Sequence, residues 1–239
     1  MGCTHTKDIK TQEIEVVKKK ISVYELIGKS VYRISSGGGD GGWGTGFAVK
    51  AASNKTYILT NGHICHSLNR TDKLYSFDGE KYKVKVEAED DYHDLCILQA
   101  PKNAKPLKVS EKDPKYRDKI YTAGFPAIPE MTTASGIVLT IDKDNAGMLD
   151  DTPIEKCVGP KYKVGTSSVM GMFGPLMIPE CNMIAPRLQT SVKSNPGASG
   201  SPMINSRGEV IGVLMATIGK IQFAQMVPLD YVRSFLDKH

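Results

Sequence analysis

The 239-residue chain has no apolar run near the ~18 to 20 residues of a membrane-spanning helix, and no h-region follows its start, so neither a span nor a cleavable signal is expected. Its five cysteines, at positions 3, 65, 96, 157 and 181, form no CxxC pair and no metal-ligand spacing. An odd count without a framework predicts mostly free thiols, with Cys157 and Cys181 able to pair across a loop in an oxidising compartment. His66 beside Cys65 is a metal pair without further ligands at suitable spacing, so no metal and no cofactor are predicted. Basic residues exceed acidic ones only by 31 to 26 and are scattered apart from Lys18 to Lys20, a run that suits a solvated arm. The basic face of a nucleic-acid binder is missing, and no nucleic-acid partner is expected. "GGGDGGWGTGF" lacks the Lys-Ser/Thr of a phosphate-cradling loop and reads as a flexible entry loop.

What is present is a composition ordinary for a globular chain, 40% hydrophobic and 24% charged, with enough length for a sizeable core. Residues 1–20 are polar and suit an N-terminal arm. "MGCTHT" fits the pattern for acylation of Gly2 with Cys3 placed for a second lipid; Cys3 equally fits the lipidated first residue of a bacterial lipoprotein. The location expected is thus lipid-anchored or cell-envelope, otherwise cytoplasmic.

From there the pattern is strand-like. "SVYRISS", "GTGFAVK", "TYILTNG", "KYKVKVEAE" and "LCILQA" are alternating or β-branched, and after a polar connection around "SEKDPKYRDK" the style repeats through "IYTAGFP", "SGIVLTI" and "GEVIGVLMAT". Short strands in two similar halves predict an all-β chain of two antiparallel six-stranded β-barrels, over 21–118 and 119–239. The Gly-, Pro- and Met-rich stretch 142–186 reads as an inserted loop with a hairpin of its own. Leu229, Val232, Phe235 and Leu236 recur at helical spacing behind Pro228 and predict a C-terminal helix over 228–238, packed on the second barrel.

"SNPGASGSP" sets Ser199 between Gly197 and Gly200, with prolines closing both sides. Glycines permit a tight positive-φ turn that can raise a serine beside outward-pointing N–H groups; an ordinary surface turn uses the same residue types. A serine hydroxyl is a nucleophile only when an imidazole takes its proton and a carboxylate orients that imidazole. "ILTNGHIC" delivers His63 just past a strand, and "YHDLCIL" delivers Asp94 just before one.

"GTGFAV", "ILTNGHI", "HDLCIL", "AGFP", "SGIVLT", "SNPGASGSP" and "GEVIGV" follow the order, and nearly the wording, of trypsin-fold serine endopeptidases. Within that fold the chain most resembles the HtrA/Deg branch, over roughly residues 30 to 236, and "GASGSP" is similar to glutamyl-endopeptidase relatives. The resemblance implies His63 as general base, Asp94 as its orienting carboxylate and Ser199 as nucleophile. The N–H groups of Gly197 and Ser199 would form the oxyanion hole. It departs from the pattern at Ala198, which stands where the HtrA branch has Asn and the trypsin branch Asp, so activation by a freed N-terminal amine is not expected. Ser201 replaces a glycine, and no PDZ-like segment is expected.

Protein or peptide substrates are implied. Met215, Ala216 and Thr217 would lie along the substrate, and Lys193 would stand near the pocket base, or else point into solvent. The expected preference is for small to medium aliphatic residues, with acidic ones second if Lys193 reaches inward. The alternative is a catalytically lapsed peptide-binding protein on the same fold.

Overall fold

A computed structural model describes residues 27–35, 43–68, 73–126, 130–140, 144–150, 162–171, 174–215 and 223–239. In the first half, short β-branched and aromatic segments form β1 (Val31–Ser35), β2 (Trp43–Lys50), β3 (Thr56–Thr60), β4 (Lys73–Tyr75), β5 (Lys81–Lys83), β6 (Val86–Asp90) and β7 (Leu95–Gln99). They pair antiparallel in the order β5-β4-β1-β2-β3-β7-β6. A five-residue helix, α1 (Gly62–His66), follows β3 directly.

The second half supplies β8 (Lys119–Gly124), β9 (Thr132–Ile137), β10 (Asp144–Asp150), β11 (Tyr162–Gly171), β12 (Gly174–Lys193), β13 (Pro202–Ile204), β14 (Val210–Met215) and β15 (Phe223–Pro228). Its sheet runs β10-β12-β15-β14-β13-β8-β9, with β11 added on β12. The chain is therefore all-β with two curled antiparallel sheets, of seven and eight strands where six each were expected. The stretch expected as an inserted loop holds β10 and the β11–β12 hairpin. β12 runs unbroken for 20 residues from that hairpin into the second sheet, because every step from Met183 to Gly174 finds a partner on β11.

The sheets share one core. Phe47, Val49, Leu59 and Leu95 of the first pack with Val210, Val213 and Val227 of the second. Burying each such side chain stabilises the fold by about 1.5–3 kcal/mol. Pro228, at φ −60°, leads into α2 (Leu229–Leu236), whose Leu229, Val232, Phe235 and Leu236 are all buried. As its spacing implied, α2 packs on β14 and β15 of the second sheet. It also ties in the first half, since the Ala52 N–H donates to the Leu236 carbonyl at 3.3 Å.

One expectation is corrected. Cys65 and Cys96, anticipated as free thiols, form a disulfide with an S–S distance of 2.04 Å. Sequence showed no framework because the partners lie on α1 and β7, which only the pairing of β3 with β7 brings together. The expectations for residues 1–20, Gly2, Cys3, Cys157, the Cys181 side chain, Ala216 and Thr217 fall outside what is described. Among the described residues, no helix is long and apolar enough to cross a membrane.

Candidate active site

β3 ends at Thr60, and Asn61 and Gly62 turn the chain so that His63 enters α1. Asp94 closes the turn before β7 with φ +58°, a left-handed conformation that aspartate tolerates better than most side chains. Its carboxylate is 2% exposed. Oδ1 accepts the His63 backbone N–H at 2.9 Å and lies 3.0 Å from His63 Nδ1, with Oδ2 at 3.1 Å. A carboxylate so placed favours the Nδ1–H tautomer, which leaves Nε2 as the basic nitrogen. Asn61 Nδ2 donates to the Asp94 carbonyl at 3.1 Å, and the Cys65–Cys96 disulfide holds α1 to β7 two residues beyond each member of the pair.

Ser199 belongs to the turn between β12 and β13 and is buried, at 8% exposure. Gly197 and Gly200 adopt φ +92° and +84°, where other residues are strained. The N–H groups of Ala198, Gly200 and Ser201 donate to the carbonyls of Asn195, Leu214 and Ala198, which fixes the shape of the turn. A Cβ on Gly200 would fall 1.9 Å from the Thr45 carbonyl oxygen, so only glycine lets the turn sit this close to β2.

Thr45 of β2 joins the two halves. Its N–H donates to the Ser199 carbonyl at 2.9 Å, and its hydroxyl donates to the Gly197 carbonyl at 2.9 Å while accepting from Phe125 N–H at 3.0 Å. Its own carbonyl accepts the Thr60 hydroxyl at 2.7 Å, three residues before His63. Ile64, next to His63, lies against Gly44, where a Cβ would come within 2.6 Å of it. The serine turn and the strand that leads to His63 thus converge on one buried residue of the first sheet.

Of the residues expected along the substrate, Met215 ends β14 and is buried. Lys193 ends β12 opposite Phe223 and is exposed. His66, weighed with Cys65 as a metal pair, instead lies 3.0 Å from Asp91 and 3.3 Å from Glu89. His93 meets Asp90 through Nδ1 at 2.8 Å and stacks on Tyr231 at 4.2 Å between ring centroids.

Sequence reasoning missed Thr45, Asn61 and Arg187. Thr45 had one visible signal, its place between two glycines in "GTGF". Arg187 of β12 is 1% exposed and donates from Nε toward Met215 Sδ at 3.2 Å. Burial pushes its guanidinium below the usual range, opposed by the Asp94 carboxylate and the phenols of Tyr231 and Tyr92.

Two curled antiparallel sheets on a shared core, with a His–Asp pair from one half and a glycine-flanked serine from the other, define a protein of the trypsin-like class. The family described as Trypsin-like peptidase domain matches residues 44–213, and the chain belongs to that family. Serine protease Do-like HtrB of Bacillus subtilis is 28% identical over 175 residues, covering 71% of this chain and 31% of its own. Periplasmic serine endoprotease DegP of Salmonella typhimurium is 26% identical over 215 residues, covering 83% of this chain and 38% of its own. The chain thus spans about a third of the length of these relatives. Among solved structures, the active form of the Rv3671c protease from M. tuberculosis superposes with a TM-score of 0.62 at 20% identity, covering 89% of this chain and 81% of that one.

Proposed function

We propose that the protein is a serine endopeptidase that cleaves peptide bonds through Ser199, His63 and Asp94. In this reading neutral His63 takes the Ser199 proton from its Nε2 side as Oγ attacks the scissile carbonyl. Asp94 steadies the imidazolium that forms, and the N–H groups of Gly197 and Ser199 receive the oxyanion. The imidazolium then returns its proton to the leaving amine, and water repeats the sequence to release the acyl group. The observation that carries the reading is the His63–Asp94 pair at 3.0 Å, in a chain whose serine turn is bonded to the strand beside that pair.

The substrates proposed are proteins or peptides with small to medium aliphatic residues before the cleaved bond, acidic residues ranking second if Lys193, exposed here, reaches inward. Met215, Ala216 and Thr217 line the substrate in this reading, and Lys193 is the group that an acidic side chain would meet. A cell-envelope location is supported by the Cys65–Cys96 disulfide, since such bonds persist in oxidising compartments, and by the periplasmic relative. Attachment there would use a lipid on Gly2 or Cys3.

The test is a fluorophosphonate probe followed by mass spectrometry of the adduct. Labelling confined to Ser199, and lost in Ser199→Ala together with ~10^4-fold or more of peptidase rate, is expected. A Ser199→Ala protein with near-normal turnover refutes the assignment. Peptide-library profiling checks specificity: dominant cleavage after Arg or Lys overturns the pocket reading.

A further inference from the structure

Among the described residues, Arg187 heads the fully buried side chains when these are ranked by volume, and a buried cation is costly unless an opposite charge meets it. Its direction follows from register. Leu188 pairs with Met226 and Leu214 also pairs with Met226, and all three side chains fill the interior of the second sheet. Alternation along the strands then turns Arg187 to the opposite face, together with Val213, Met215 and Val227. That face meets the first sheet, because Val213 and Val227 belong to the core shared with Leu59 and Leu95. The Arg187 Nε contact with Met215 Sδ agrees with this placement. Leu95 follows Asp94 directly, and the charged or polar groups acting on Arg187 include Asp94, Tyr231 and Tyr92.

We propose that Arg187 is a positioning residue for the catalytic pair, its buried cation lying behind Asp94 from the second barrel and keeping that carboxylate aimed at His63. This role rests on the triad reading above. Asp94 gives Oδ1 to the His63 backbone and shares both oxygens with the ring, so the His63 side of the carboxylate is occupied and a cation on the other barrel balances its charge. The same cation competes with the His63 imidazolium for Asp94. The other titratable groups around His63 are already engaged among themselves: His66 with Glu89 and Asp91, and His93 with Asp90 and Tyr231. Of these, Tyr231 also acts on Arg187.

The experiment follows the rate of fluorophosphonate labelling of the full chain from roughly pH 5 to 9. Removing the cation in Arg187→Met leaves Asp94 free to stabilise the imidazolium, so the acid limb moves about one pH unit upward. The plateau rate falls about tenfold as the pair loses its support. Arg187→Lys keeps the charge without the planar fork, so its acid limb stays with the wild type while its plateau falls. A folded Met variant with the wild-type limb overturns the proposal. Where the Met variant does not fold, the Lys variant decides: an upward shift despite its retained charge overturns it. Absence of labelling in the wild type refutes the triad itself, a result distinct from either.

Discussion

Breaking the Cys65–Cys96 bond is expected to cost the protein both stability and the geometry of its His–Asp pair. The bond joins residues 31 apart in sequence, and releasing a loop of that size to the unfolded chain returns entropy worth about 3.7 kcal/mol at 25 °C. For a chain of this length that corresponds to a fall of roughly 7–15 °C in Tm. Both cysteines are buried, at 4% and 0% exposure, so reductant reaches the bond only when the protein opens. The protein is therefore unfolded in denaturant with and without a phosphine reductant, refolded, and compared by urea titration. Cys65→Ala with Cys96→Ala should fall slightly lower than the reduced wild type, because two packed sulfur atoms are lost as well. Thiol counting on the unreduced, denatured chain should find one pair missing. Oxidised and reduced proteins differing by less than about 1 kcal/mol, or a full count of free thiols, would refute the reasoning.

Gly200→Ala sets a methyl 1.9 Å from the Thr45 carbonyl at a φ of +84°, so at least about 2 kcal/mol of stability and most Ser199 labelling should be lost; an unchanged urea midpoint counts against it. Thr45→Val keeps the shape but strands the buried Phe125 N–H and Gly197 carbonyl, which predicts a loss of about 1–3 kcal/mol; a neutral outcome in denaturant would show these bonds replaced. Glu209 is held at about 2, below its ordinary 4.5, by the Asn205 side-chain amide first and then Arg207 and Lys108. A carboxyl depressed by folding contributes stability present above 4.5 and lost as pH falls toward 2. The stability gap between wild type and Glu209→Gln should therefore close across that window, and a gap independent of pH sinks the assignment.

The two-sheet fold and C-terminal helix were legible because their signals are local: alternation in strands such as β3, and the spacing of Leu229, Val232, Phe235 and Leu236 behind Pro228. The hydrogen-bonded His63 and Asp94 were legible because each stands at a strand end, where a short motif fixes the backbone. The disulfide was not, although Cys65 and Cys96 each lie two residues beyond one member of that pair; the matching offset acquires meaning only once β3 is known to pair with β7. Arg187 was invisible for a related reason. A lone arginine in a strand suggests a solvated charge, and only the register of β12 against β15 turns it inward. The long strand β12 was obscured by composition, since its prolines and glycine mimic a loop while pairing with β11 overrides that preference.

The two groups of site residues come from opposite sheets, so their relative placement depends on what crosses between the halves, and Thr45 makes several of those bonds. It is fully buried, and its N–H, carbonyl and hydroxyl together make four hydrogen bonds, two of them to the turn that carries Ser199. In a low-dielectric setting each bond is firm and each orphaned partner costly, so the turn is held against β2 as well as by its own sheet. His63 and Asp94 are held differently, by direct bonds, by Asn61 and by the disulfide within the first half. The supports are therefore separable. Loss of the Thr45 hydroxyl acts on the serine turn and leaves the His–Asp pair intact, whereas loss of the disulfide loosens that pair and leaves the turn bonded to β2. Arg187 is the exception, a second-barrel residue acting on the first-barrel pair, which is why its removal should move the pH profile of labelling while Thr45→Val lowers the rate at every pH.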